Sequence, residues 1–172
     1  MKSRIFKVLI ADYGMVFVLL FLCVLTSVLT ISDIHPKDPR AGRRLAGLMV
    51  KQYGKDINVL VVARAIDADR KFTEAIQEEL TRLGANVVGT ELGDPRSVRN
   101  RIEKLGAESV RVDLVATHNF SRKWKIFSDE MLKKLATNHP SLEKVKVVRP
   151  PSYRWPTFLT RQNLISILNQ NA

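Results

Sequence analysis

The hydrophobic and polar positions separate the chain into one uninterrupted apolar segment and a longer region in which apolar residues recur at regular intervals. Residues 13–32 contain no charged side chain, and their small polar members, Ser and Thr, can bond back to carbonyl groups of a helix. A helix of about 20 apolar residues is long enough to cross the hydrocarbon core of a bilayer. The pattern therefore predicts one N-terminal transmembrane helix, within a first region of residues 1–33.

The residues around this segment bear on whether it is retained after synthesis. Lys2, Arg4 and Lys7 precede it, as in the charged region of a secretory signal, and residues 30–32 offer a weak small-x-small cleavage site. The apolar region of a signal is about 7–15 residues long, which is shorter than this one. We therefore predict an uncleaved, single-pass anchor in the cytoplasmic (inner) membrane, with the lipid bilayer as a partner and the following domain extracytoplasmic.

After a Pro- and Arg-rich connector, assigned to residues 34–55, short apolar runs alternate with amphipathic stretches. Apolar, β-branched runs of this kind are typical of strands buried on both faces of a parallel sheet. The predicted strands are residues 57–63, 86–92, 112–117 and 144–148, the last at an edge, and the predicted helices are residues 67–83, 95–105 and about 122–136. Two βα units in series predict right-handed crossovers. The fold class is therefore α/β, a small parallel-sheet βαβαβ sandwich over residues 56–149 preceded by the transmembrane helix.

The first predicted helix carries the clearest signal. Phe72, Ile76, Leu80 and Leu83 lie at helical spacing with charged positions opposite them, and Gly84 follows as a C-terminal stop. We expect this helix to bury its apolar face against the sheet.

Polar side chains follow the predicted strands at the edge where a ligand would bind. In open parallel sheets ligands bind beyond the carboxyl ends of the strands. The candidate ligand-binding residues there are Arg64, Asp67, Thr90, Glu91, His118 and Asn119. An alternative reading is structural, because Asp67 is placed to cap the first helix and Asn119 to cap the third.

The patterns of common catalytic and cofactor sites do not occur in the sequence. Residues 84–90 have the glycine spacing of a phosphate-binding loop, but Thr90 stands where that loop needs Lys. The first strand-to-helix junction has no glycines for a dinucleotide, and His35, His118 and His139 are not spaced as metal ligands. We therefore predict no catalytic residue, no cofactor and no metal, and expect that the chain is not an enzyme.

Cys23 is the only cysteine, so a disulfide within the chain and a Cys-rich metal site are both excluded. An acylated lipoprotein cysteine would follow a small residue, whereas Leu22 precedes Cys23. We expect Cys23 to have no chemical role.

The net charge of +11 comes from 28 Lys and Arg against 17 Asp and Glu, and it is spread along the chain. No helix face collects the charge densely, so no nucleic-acid partner is predicted. Residues 122–125 combine basic and aromatic character, which suits anionic head groups, an acidic protein partner or simple solvation.

Residues 150–172 begin with prolines and continue into a short apolar helix that ends before it reaches spanning length. They contain a set of positions that resembles the stretch after the first membrane helix of ribose-type sugar ABC-transporter permeases. These positions are Pro156, Phe158, Thr160, Asn163, Leu164, Ile167, Leu168 and Gln170. The resemblance implies the N-terminal portion of such a permease, as a fragment or split subunit, whose partners would be the permease core, the ATPase and the binding protein.

The α/β region is similar in rhythm to one lobe of a periplasmic sugar-binding protein, through its strand at 57–63, the helix with Phe72 and the strands at 86–92 and 112–115. The two resemblances together imply a membrane component of a sugar-type importer whose extracytoplasmic domain contacts a binding protein or a ligand, such as a sugar. The alternative is a stand-alone, anchored or secreted, ligand-binding or sensor domain unrelated to transport.

Overall fold

A computed structural model of the chain describes the backbone of residues 2–170 and the side chains of residues 13–170. The basic residues Lys2, Arg4 and Lys7 lie outside the described side chains. The chain forms two units, one of residues His35–Pro151 and one of the segments before and after it.

The helices are α1 (Lys2–Leu29), α2 (Pro39–Tyr53), α3 (Asp67–Leu83), α4 (Pro95–Ala107), α5 (Asn119–Arg122), α6 (Asp129–Asn138) and α7 (Arg161–Gln170). The strands are β1 (Ile31–Ile34), β2 (Asn58–Ala63), β3 (Asn86–Leu92), β4 (Leu114–Ala116), β5 (Lys146–Val148) and β6 (Tyr153–Pro156).

The unit of residues 35–151 contains a parallel four-stranded sheet in the order β3-β2-β4-β5. This confirms the predicted α/β fold class with its parallel sheet, and it places β5 at an edge. Strands β2 and β4 pair at the centre, with Val61 opposite Ala116. The pairing of β2 with β3 shifts by one residue between Val59 and Leu60, which leaves Val88 as an extra residue in β3.

Helices cover both faces of the sheet. Successive residues of β2 point to opposite faces, so alternate residues pack with different helices. Val59 and Val61 pack with helices α2 and α3, through side chains that include Met49, Phe72 and Ile76. The alternate residues of β2 pack on the other face with α4, α6 and the loops around them; this cluster includes Leu60, Val62, Ile102, Phe127 and Leu135. The unit is therefore a three-layer α/β/α sandwich.

Helix α2 occupies most of the segment that we assigned to a connector. The side chain of Asp38 accepts a hydrogen bond from the Ala41 backbone N–H, and Pro39 begins the helix. Leu45 and Met49 are buried on the face that meets α3. The prolines and arginines of this segment suggested a linker, whereas they mark the start and the solvent face of a core helix.

The predicted continuous helix over residues 122–136 is wrong, because the chain breaks there. Trp124 and Ser128 both have extended backbone conformations. Helix α6 starts at Asp129, where Ser128 Oγ accepts a hydrogen bond from the Met131 N–H. The apolar residues of the segment still enter the core, since Ile126 and Phe127 are buried between the two helical pieces.

The other unit contains α1, α7 and an antiparallel ribbon in which Ile31 pairs with Pro156 and Ile34 pairs with Tyr153. The ribbon begins directly after α1, and Phe158 N–H and Thr157 Oγ1 donate hydrogen bonds to the side chain and the carbonyl of Thr30, respectively. Neither the ribbon nor the pairing of the two distant segments was predicted.

The predicted transmembrane helix over residues 13–32 is wrong. The helix ends at Leu29, and Ile31–Ile34 belong to β1 instead. At the other end the helical geometry is interrupted at Tyr13. Among the described residues, no helix combines the length and the hydropathy needed to cross a membrane. The predicted single-pass location in the inner membrane is corrected accordingly.

Candidate functional site

A buried polar cluster lies where the central strands of the sheet end. Arg64 follows directly after β2, and His118 comes two residues after β4. Because Val61 of β2 pairs with Ala116 of β4, these two residues leave the sheet side by side. Asp69, in the first turn of α3, reaches both of them.

Asp69 links the cluster through short contacts. Its Oδ2 atom lies 2.6 Å from His118 Nε2 and 2.7 Å from Arg64 Nε. Arg64 Nη2 lies 3.2 Å from Oδ1, so the guanidinium binds the carboxylate through both oxygens. The side chain of Asp69 is fully buried, whereas 28% of the Arg64 side chain stays exposed. The arginine therefore presents one side to the carboxylate and the other to solvent.

The ring of His118 has a fixed orientation and a fixed tautomer. Its Nδ1 atom accepts hydrogen bonds from the N–H groups of Phe120 and Ser121, at 3.2 and 3.4 Å, and so caps the start of α5. Because Nδ1 accepts, the ring proton is on Nε2 and is donated to Asp69. Both ring nitrogens are therefore occupied, and neither is free to take a proton from a substrate.

Burial and pairing act on Asp69 in opposite directions. Burial raises the pKa of Asp69, but the hydrogen bonds from Arg64 and then from His118 outweigh it, so that the pKa lies below the ordinary value of 3.8. The hydrogen bond to Asp69 raises the pKa of Arg64. The carboxylate and the guanidinium are thus both charged at neutral pH.

The exposed side of Arg64 carries an aromatic ring. The guanidinium carbon lies 4.2 Å from the centre of the Phe120 ring, and the Phe120 side chain is largely exposed. Planar N–H donors beside an open apolar ring form a surface that can hydrogen-bond the oxygens of a ligand and stack on its C–H face. We call Arg64 and Phe120 the Arg64–Phe120 platform.

Buried hydroxyls lie around the same edge of the sheet. Thr117 Oγ1 and Ser121 Oγ, on either side of the capping histidine, are buried and have no hydrogen-bond partner among the described residues. Thr90 Oγ1, near the end of β3, is also buried and has no hydrogen-bond partner among the described residues. A buried hydroxyl without a partner costs about 1–3 kcal/mol, so these groups favour a polar guest or water at this edge.

The structure brings some of the predicted site residues together and leaves others apart. Arg64 and His118 share the cluster through Asp69, and Asn119 Oδ1 accepts a hydrogen bond from Arg149, which follows β5. Asp67 lies exposed at the first position of α3, where Ile66 and not Asp67 is the N-cap residue. Glu91, near the end of β3, is half-buried. Asn119 begins α5 but does not cap it, since His118 does.

Two residues of the candidate site, Asp69 and Phe120, were not among the sequence candidates. Asp69 precedes Phe72 by three residues and Ile76 by seven, which places it on the buried face of α3. An acidic residue in line with an apolar stripe was the available signal. Phe120 follows the candidate pair His118 and Asn119 directly, but no periodicity marks a single aromatic residue in a short turn as exposed.

An open cleft adjoins this edge and has Asn119 in its wall. Its volume is about 490 Å³, and its walls come from the α5 region, from the turn before α6 and from the end of β5. The cationic side chains in the walls are Arg122, Lys123, Lys125 and Arg149. We call this cleft the basic cleft.

A second open cleft of about 440 Å³ lies at the amino ends of the strands. Its walls contain both signs of charge, and Arg111 pairs with Asp113 at 2.7 Å within it. Among residues 13–170, no three His, Cys, Asp or Glu side chains are grouped so that they could hold a metal ion.

Comparison with known proteins gives fold neighbours only. No family model matches the sequence, and no curated protein is similar to it at a significant level. A substrate-binding protein of a sugar ABC transport system from Bordetella parapertussis matches 66% of this chain at 15% identity and a TM-score of 0.49. The XylFII molecule matches 64% at 14% identity and a TM-score of 0.48. An ABC transporter substrate-binding protein from Desulfitobacterium hafniense, in complex with Leu, matches 67% at 14% identity and a TM-score of 0.42.

The chain spans only 35%, 40% and 32% of the lengths of these three proteins. The permease resemblance drawn from the C-terminal segment is corrected, because no helix among the described residues has the length and the hydropathy of a membrane span. The positions that carried it, from Pro156 to Gln170, form the end of β6, a short 3-10 turn and helix α7.

Proposed function

We propose that the unit of residues 35–151 is a ligand-binding module that binds a small, oxygen-rich molecule of the sugar class on the Arg64–Phe120 platform. The observation that carries this proposal is the buried carboxylate of Asp69, which holds the Arg64 guanidinium against the Phe120 ring at the carboxyl edge of a parallel sheet. Oxygen-rich rings offer acceptors for the guanidinium and a C–H face for the aromatic ring.

The same geometry supports a binding role over a catalytic one. A histidine beside a carboxylate suggests a general base, but both nitrogens of His118 are already hydrogen-bonded, and Nδ1 faces the backbone of α5. A base must reach the proton that it removes. The cluster therefore orients Arg64, and the module binds its ligand without converting it.

Calorimetric titration with D-ribose, D-xylose, D-glucose and D-galactose tests this function. We expect saturable binding of at least one of these sugars, and we expect Phe120→Ala to weaken it by about tenfold or more through loss of the stacking surface. Phe120 is exposed, so this substitution leaves the core intact. Arg64→Ala removes the donors as well, but it also leaves Asp69 with one partner fewer.

The matched control is Arg111→Ala, which removes an exposed arginine at the opposite edge of the sheet. The control variant is expected to bind like the parent. The proposal is overturned if none of the four sugars binds, or if Phe120→Ala and Arg111→Ala have equal effects on the affinity.

A further inference from the structure

Some of the basic residues outside the basic cleft are paired with carboxylates. Salt bridges join Arg43 to Glu78, Arg99 to Glu103, and Arg111 to Asp113. Further pairs involve Arg64, Arg82, Lys104 and Arg154.

The basic cleft brings four basic side chains together around one space. Among the described residues, the salt bridges include none from Arg122, Lys123, Lys125 or Arg149, and the cleft walls contain no acidic side chain. Like charges gathered around one space repel each other and raise the local concentration of anions. The nearest acidic residues along the chain, Asp129 and Glu130, lie in the first turn of α6 and do not line the cleft.

Two of the cations are held in place by the protein. Arg122 Nη1 donates to the Phe127 carbonyl at 2.8 Å, and Arg149 donates to Asn119 Oδ1. Each contact uses one N–H direction of a guanidinium that has five donors, so the others are available to a guest. Trp124, in the wall of the cleft, stacks on Phe127 with ring planes 12° apart.

We infer that the basic cleft binds a phosphate group, carried by the ligand of the Arg64–Phe120 platform. Guanidinium and ammonium groups match the oxygens and the double charge of a phosphate ester, and a volume of about 490 Å³ admits a small molecule. The inference rests on the proposed function, because Asn119 lies in the cleft wall and is followed in the chain by Phe120. A phosphorylated monosaccharide is the ligand that this arrangement favours.

Titrations with inorganic phosphate, D-ribose and D-ribose 5-phosphate at constant ionic strength test the inference. We expect ribose 5-phosphate to bind at least about tenfold more tightly than ribose, and Lys123→Gln/Lys125→Gln to remove about that factor. Both lysines are exposed, so the substitutions do not disturb the core.

The matched control is Lys133→Gln/Lys134→Gln, which removes the same charge from exposed positions on α6 outside the cleft. This control is expected to bind ribose 5-phosphate like the parent. Equal losses in the two double variants would overturn the inference, since they would show attraction to net charge alone.

The remaining outcomes separate the inference from the proposed function. If ribose binds as tightly as ribose 5-phosphate, and inorganic phosphate does not bind, the phosphate site is overturned and the platform stands. If inorganic phosphate binds in a manner that depends on Lys123 and Lys125 while Phe120→Ala leaves ribose 5-phosphate binding unchanged, the platform is overturned and the phosphate site stands.

Discussion

Asp69 is the residue on which the site depends, because it joins the two strand ends by accepting hydrogen bonds from Arg64 and His118. A buried carboxylate is tolerated only when its charge is paired, and removal of one partner of a buried pair costs about 3–5 kcal/mol. The same contact fixes the guanidinium in place before a ligand arrives. Stability and binding are therefore coupled at this residue.

The pH dependence of the stability follows from the same carboxylate. Because the pKa of Asp69 in the folded chain is below its ordinary value of 3.8, the unfolded chain binds the proton more readily than the folded chain. The stabilisation from this group is therefore fully present above the ordinary value. It is lost as the pH falls through the lower, folded value.

Asp69→Asn tests this directly. We expect it to lower the free energy of unfolding by about 3 kcal/mol at neutral pH, and we expect the deficit relative to the parent to shrink as the pH falls below about 4. Urea unfolding followed by circular dichroism from about pH 7 to about pH 3 measures both effects. Asp67→Asn, an exposed change in the same helical turn, is the control and should cost far less. A deficit that does not depend on pH would contradict the assigned role of Asp69.

Helices α2 and α3 approach closely at a glycine. A Cβ atom on Gly42 would lie 2.7 Å from the Phe72 carbonyl oxygen and 3.2 Å from Ile76 Cγ1. The backbone oxygen cannot rotate away as a flexible side chain could. Gly42 thus sets the distance between α2 and the helix that carries Asp69.

Gly42→Ala is therefore expected to destabilise the chain by about 1–3 kcal/mol through overpacking, despite the better helix propensity of alanine. Gly47→Ala is the matched control in the same helix, because a Cβ atom there meets nothing within 4 Å. The control should gain up to about 1 kcal/mol. Thermal melts of both variants measure the difference, and equal changes in the melting temperature would argue against the close approach.

The sequence predicted some of the helices and strands correctly and missed others. The helix Asp67–Leu83 and the strand Asn86–Leu92 match their predicted bounds because periodicity, Gly84 and β-branched residues agree there. Helix α2 was missed because its many charged residues and a proline at its start resemble a linker. The ribbon of β1 with β6 depends on a pairing between distant segments, for which local patterns carry no signal.

Across the whole sheet, topology alone placed Arg64 and His118 at one edge, because the carboxyl ends of parallel strands lie together. Asp69 and Arg149, which also contribute side chains at this edge, were not among the predicted site residues. Asp69 enters from a helix, and Arg149 adds to the basic cleft from a strand end far along the chain. The fold adds Arg149 to the basic residues 122–125, in a cleft whose walls lack acidic residues.

Binding of a sugar-class ligand at the carboxyl edge of the sheet is tested most directly by amide chemical-shift mapping. The full chain, labelled with nitrogen-15, is titrated with D-ribose 5-phosphate. We predict saturable shifts centred on residues 64–69 and 117–128, with those around residue 111 at the amino edge unmoved. Shifts that are absent, that do not saturate, or that centre on the amino edge would contradict the claim.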